Sequence, residues 1–109
     1  MKPTVSINDL EKLDLRVGVI ESVEDVENSS KLYYIKVNIG DHVISILSGI
    51  KRYYKKEELL NKRIIVIVNL EHKIIAGKES EGMLLAAEHD NTVSLLTVDK
   101  ELPAGSIVS

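Results

Sequence analysis

"KLYYIKVNIGDHVISILSG", residues 31–49, decides the fold. In its first half Tyr33, Ile35, Val37 and Ile39 fall on one face, and Tyr34, Lys36 and Asn38 fall on the other. That is the period-two alternation of a strand with one face buried. Gly40-Asp41 reads as a hairpin turn. Val43 to Leu47 is the return strand, which ends at Ser48-Gly49.

The same short-strand grammar continues on both sides. Upstream, Asn8 is expected to cap a single helical turn over residues 8–12. Leu15 to Val23 reads as a strand, with Gly18 as its bulge or bend. Downstream, Glu57 to Leu60 is a short helix, and Arg63 to Leu70 is a buried strand. Glu71 to Gly77 is a connection. Gly82 to Ala87 and Thr92 to Val98 are further strands, and Leu102-Pro103-Ala104-Gly105 is a turn. Ile107-Val108 is a terminal strand fragment. Close-spaced strands with glycines at the corners suit an all-β architecture. A five-stranded OB-fold barrel with one short helix and a C-terminal strand extension fits the pattern, and a small sandwich fits it too.

Composition agrees with sheet. Val and Ile make up 25 of the 109 residues, while Phe and Trp are absent, so aliphatic side chains must build the core. By length, residues 1–109 are one domain. The longest apolar run, Ile64 to Val68, is far too short to span a bilayer, and the N-terminus has no apolar signal core. No membrane partner is expected. The absence of cysteine excludes thiolate metal sites and suits a cytoplasmic location. His42, His72 and His89 are scattered, without metal-ligand spacing. Glu79 and Glu81 could share a strand face, but nothing around them suggests a catalytic pair. No glycine-rich phosphate loop opens a helix. No cofactor, no metal and no catalytic residue are expected.

Charge supplies the functional signal. The chain carries a net charge of −3, yet residues 31–63 hold eight of its 14 Lys and Arg. All four tyrosines lie in the same third. KRYYKK, residues 51–56, alone contributes Lys51, Arg52, Lys55 and Lys56. A charge run of this kind is commonly a solvated face. Here it accompanies Tyr34 and Lys36 on one outward strand face, and a ring beside a cation is a platform for a base and its phosphate. Tyr33 reads as a core ring with its hydroxyl at the rim. Of Tyr53 and Tyr54, one is expected in the core and one outside.

"DLRVGVIESV" at 14–23, "KLYYIKVNIG" at 31–40, "SGIKRYYKKEELLNKRIIVIVNL" at 48–70 and "GKESEGMLLAAE" at 77–88 together resemble the tRNA-binding domain family. That family includes the methionyl-tRNA synthetase C-terminal domain and β-subunit type, and free dimeric tRNA-binding proteins. The resemblance implies an oligonucleotide-binding barrel that recognises tRNA by shape at the outer corner of the L. It places Lys31, Lys36, Ser48, Gly49, Ile50, Arg52, Lys73, Lys78, Ser80 and Met83 near the RNA. Lysine and arginine can neutralise phosphates, the serines can hydrogen-bond phosphate or a 2′-hydroxyl, and Gly49 allows close backbone approach. With Tyr34, Lys51 and Lys55 added, these are the candidate RNA-binding residues. Where the family often has Lys-Pro after Asn69-Leu70, this chain has Glu71-His72.

The resemblance also implies a homodimer and, as partners, tRNA and a methionyl-tRNA synthetase catalytic chain. The aliphatic residues Val93, Leu95, Leu96, Val98, Ile107 and Val108 are where a second copy could pack; they could equally complete the monomer core. Two other readings stay open. One is an export-related chaperone that binds unfolded peptides through the same groove; the other is a purely structural assembly subunit.

Overall fold

The computed structural model describes residues 1–109. Its organising element is β1 (Leu15–Asp25), which is long enough to take different partners along its length. On one edge, Leu15 to Val19 pair antiparallel with β4 (Arg63–Ile67). On the other edge, Val19 to Asp25 pair with β2 (Tyr33–Asn38), and β2 pairs with β3 (Val43–Ser48). The first sheet therefore runs β3-β2-β1-β4 and continues to β7 (Met83–Leu84). It curls into a nearly closed five-stranded barrel.

Closure is made by the last residue of β6 (Lys78–Ser80) and by Glu81 after it, where the chain passes β3. The Glu81 N–H donates to the Ser45 carbonyl at 2.8 Å. In return the Ser45 N–H and hydroxyl both donate to the Glu81 carboxylate at 2.8 Å. Two residues further along β3, the Leu47 N–H donates to the Ser80 hydroxyl at 3.1 Å. An exposed strand edge would leave these amides to water or to another chain. Here a serine and a glutamate satisfy them.

The alternation in β2 is realised as read: Tyr33, Ile35 and Val37 are buried, while Tyr34, Lys36 and Asn38 face out. They join Ile20, Ile44, Ile46, Ile64, Val66 and Leu59 in one aliphatic cluster. Fully burying each such side chain contributes about 1.5–3 kcal/mol. Leu59 comes from the short helix α2 (Lys56–Leu59), whose start is held by the Glu58 carboxylate accepting the Lys55 N–H at 2.7 Å. Tyr33 is the core ring expected, and its hydroxyl donates to the Tyr54 carbonyl at 2.8 Å. Tyr54 packs on the core and its hydroxyl accepts the Leu95 N–H at 3.0 Å, whereas Tyr53 is exposed.

Several local expectations are corrected. The helical turn α1 spans Ile7–Glu11 with Ser6, not Asn8, at its N-cap. The irregularity in β1 lies between Ile20 and Ser22, not at Gly18. Gly18 serves packing instead: a Cβ there would sit 2.5 Å from Val37 Cγ1. The buried strand β4 ends at Ile67, three residues short. Residues 71–77 are not a plain connection, because β5 (Lys73–Ile75) pairs with β6 in a hairpin turned at Ala76-Gly77, both at positive φ. The strands expected at 82–87 and 92–98 become β7 and a second hairpin, β8 (Ala86–His89) with β9 (Thr92–Leu95).

The C-terminal extension, β10 (Ile107–Val108), pairs with Leu15 and Arg16 on the β2 side of β1. Two glycines let it reach there. Gly40 in the β2–β3 turn and Gly105 both have positive φ, and a Cβ on Gly40 would lie 2.9 Å from Gly105 Cα. No helix is long and apolar enough to cross a membrane.

Candidate nucleic-acid interface

Cross-strand pairing puts Tyr34 with Leu47 and Lys36 with Ser45 on the outer face of β2–β3. The β5–β6 hairpin lies over β3 and buries Ser45 and Leu47, but leaves Tyr34 and Lys36 at its border. Two ammonium groups then converge on one ring. Lys36 Nζ lies 4.9 Å from the Tyr34 centroid, and Lys78 Nζ, from the hairpin, lies 4.6 Å from it. The Tyr34 phenol is shifted below its ordinary range, first by its interaction with Lys36, then by Ser45. Neither lysine has a carboxylate within ion-pair distance, so both charges are available to an incoming anion.

The KRYYKK stretch divides. Lys51 and Lys56 both bind Asp25, at 3.0 and 2.8 Å, and Lys51 also donates to the Ser29 carbonyl. Their carboxylate partner is held below its ordinary range, first by Lys56 and then by Lys51. These two cations tie the loop after β3 to the end of β1. Arg52 and Lys55 remain exposed and unpaired beside Tyr53, and Lys31 is exposed and unpaired two residues before β2.

A second feature adjoins the platform through Leu47. A groove of about 430 Å³ runs between the hairpin, β3 and the β4–β5 connection, lined by Leu47, Leu70, Glu71, Lys73, Ile75, Ser80, Gly82 and Met83. Lys73 and Met83 are exposed there. Ser80 is buried, and its hydroxyl is occupied by the Leu47 amide and the Gly82 carbonyl. Gly82 is needed for the fit, since a Cβ would meet the Ile67 carbonyl at 2.8 Å.

The remaining candidates separate by burial. Ile50 is in the core and contributes carbonyl anchors to the Tyr53 and Tyr54 amides, so its side chain does not reach the surface. Ser48 is half-buried at the end of β3. A Cβ on Gly49 would meet nothing within 4 Å, so the fold gives no steric reason for glycine there. Asn69 is structural: its amide accepts the Asp14 N–H and donates to the Lys12 carbonyl, both at 2.7 Å. The carboxylates of 79 and 81 do not act as a pair, because Glu79 holds His72 at 2.8 Å while Glu81 holds Ser45.

Sequence reading missed the approach of Lys78 to Tyr34 and the groove walls Leu47, Leu70 and Ile75. The available signal was Ala76-Gly77, a turn pair between two short polar–apolar runs.

Residues 15–107 match the family model described as "Putative tRNA binding domain". The chain is 51% identical over 104 residues to the methionine–tRNA ligase of Pyrococcus horikoshii, covering 95% of this chain and 14% of that enzyme. It spans about one seventh of the length of the curated relatives it matches. Among solved structures, a MetRS-related protein from Pyrococcus horikoshii superposes with a TM-score of 0.92 at 32% identity, covering 99% of this chain and 100% of that one. The CsaA chaperone protein of Picrophilus torridus superposes with a TM-score of 0.90 at 37% identity, covering 97% and 100%.

Proposed function

The chain belongs to the tRNA-binding domain family, and from that premise we propose that it is a non-catalytic module that holds tRNA by shape. It acts as one domain over residues 1–109, in trans, for a methionyl-tRNA synthetase catalytic chain or as a free tRNA chaperone in the cytoplasm. The observation that carries this reading is the pair of unpaired ammonium groups, Lys36 and Lys78, on the outward ring of Tyr34. Elsewhere on the chain Lys31, Arg52, Lys55 and Lys73 supply further unneutralised charge, and the open backbone at Ser48-Gly49 admits close approach. Such a surface raises the local concentration of tRNA at a catalytic partner without chemistry of its own. Kinship with methionine–tRNA ligases supports tRNA as the polyanion.

Filter binding with total tRNA over a salt series tests this. If about five cations meet phosphates, log K falls against log salt with a slope of roughly −3 to −4, at about −0.7 per contact. A flat response rejects the reading.

The family's homodimer is proposed here on a definite surface. Ile7 and Leu10 of α1, with Ile107 and Val108 of β10, line an apolar groove beside Leu15. Ile7 and Ile107 are each more than 70% exposed, while Leu95 and Val93 are taken up by the core. A second copy covers this face and doubles the phosphate-binding surface. Light scattering of the purified chain gives about twice 12.1 kDa, and Ile107→Glu gives one copy.

A second reading has a specific observation behind it: the largely apolar groove at Leu70, Ile75 and Met83, together with the likeness to the CsaA chaperone. In that reading the groove takes an unfolded peptide. Competition between tRNA and a carboxymethylated unfolded protein separates the two.

A further inference from the structure

The groove beside the platform has an unusual mouth. Its walls are Leu47, Leu70, Ile75 and Met83, and its rim carries one carboxylate, Glu71, and one ammonium, Lys73. Glu71 makes no ion pair and no side-chain hydrogen bond, and it does not pair with Lys73 two residues on. A free carboxylate on a surface that otherwise offers unpaired cations repels phosphate. Beside the groove it leaves two acceptor oxygens that suit a hydrogen-bond donor and disfavour a phosphate.

We propose that this groove holds one unpaired guanine base of the bound RNA, resting on the tRNA-binding reading above. An ionised carboxylate only accepts hydrogen bonds. An unpaired base exposes its Watson–Crick edge to protein. Guanine is the base whose edge there presents two adjacent donors, N1–H and the N2 amine, and these match the two Glu71 oxygens. Adenine and cytosine each present one amine next to an acceptor nitrogen, which turns a lone pair towards the second oxygen. Uracil places its single N–H between two carbonyls. The aliphatic walls and the polarisable Met83 sulfur accept the faces of the ring. Lys73 is left to meet the phosphate of the same nucleotide. The volume, about 430 Å³, lies in the range of about 300–1,000 Å³ typical of small-ligand sites.

The test follows the Met83 methyl by NMR in the full chain, where Met1 is the only other methionine. GMP, AMP, CMP and UMP are titrated separately at constant salt. GMP shifts the Met83 methyl with an affinity about tenfold above the other three, in line with the discrimination of a bidentate pair. Glu71→Ala removes that preference and leaves four similar weak titrations; exposed and unpartnered, this position is free of the core, and amide spectra verify the fold. Equal affinities for GMP and AMP in the wild type overturn the proposal. So does a shift produced by carboxymethylated unfolded protein with none from GMP. If no nucleotide moves Met83 while tRNA still binds with a steep salt dependence, the guanine site fails and the tRNA-binding reading stands. If salt-dependent tRNA binding is missing as well, the underlying reading fails.

Discussion

Lys78 and Tyr34 are 44 residues apart in the chain, yet the lysine ammonium sits 4.6 Å from the centre of the tyrosine ring. The contact exists because the β5–β6 hairpin folds back over β3 and stops short of β2. That leaves one aromatic ring partly exposed at the hairpin's border, with a cation from each of two elements beside it. In the proposed reading, a base stacks on this ring without regard to sequence and the ammonium groups meet its phosphates.

The ring itself should carry binding, not its hydroxyl. Tyr34→Phe is expected to change tRNA affinity less than threefold. Tyr34→Ala removes a stacking surface, a loss of about 1–3 kcal/mol, or roughly fivefold to 150-fold in Kd. Filter binding at one salt concentration distinguishes them, and an equal loss in both variants would assign the effect to the hydroxyl.

The barrel clasp predicts a pH dependence. The Glu81 carboxyl is held below its ordinary value of 4.5, first by the Ser45 amide donated to it. Because the folded pKa is depressed, this stabilisation is fully present above the unfolded value and is lost as pH falls through the folded one. Glu81→Gln should therefore melt below the wild type at neutral pH, with the gap narrowing as pH drops below about 4.5. Glu81→Ala leaves the buried Ser45 N–H without its acceptor, while the Ser45 hydroxyl keeps the Glu79 carbonyl at 3.0 Å, and costs about 1–3 kcal/mol. Thermal melts by circular dichroism across pH decide it; a gap independent of pH would remove the carboxylate from the explanation.

Two glycines separate structure from function. Gly18→Ala drives a methyl against Val37 and Val66 and should cost about 1–3 kcal/mol. Adding Val37→Ala should recover part of it. Gly49→Ala meets open space and should leave the melting temperature unchanged, while reducing tRNA affinity if the backbone there touches RNA. A destabilised Gly49→Ala would contradict the geometry.

The β2–β3 hairpin was legible because alternation and turn chemistry are local signals. Tyr33, Ile35 and Val37 had to face inward for any sheet to form. Residues 73–80 were not legible, because strands of three residues carry too little pattern and exist by virtue of the edge they cover. The charge of KRYYKK was visible, but its partition was not. Whether Lys51 and Lys56 meet RNA or Asp25 depends on where β1 ends, a tertiary fact. Ser80 and Asn69 were visible only as motif residues through resemblance, and both turn out to satisfy backbone groups. Groups that sustain a shared backbone geometry and groups that touch a ligand look alike in a sequence.

The central claim is that unpaired cations at Tyr34, not the basic run as a whole, form the RNA face. It is tested most directly by comparing salt slopes of tRNA binding for two double variants. Lys36→Ala/Lys78→Ala should reduce the slope by about 1.4, two contacts at roughly 0.7 each, with the fold intact. Lys51→Ala/Lys56→Ala should lower the melting temperature through loss of the Asp25 contacts and leave the slope near the wild-type value. The reverse result, with the slope unchanged in the first variant and reduced in the second, would contradict the account.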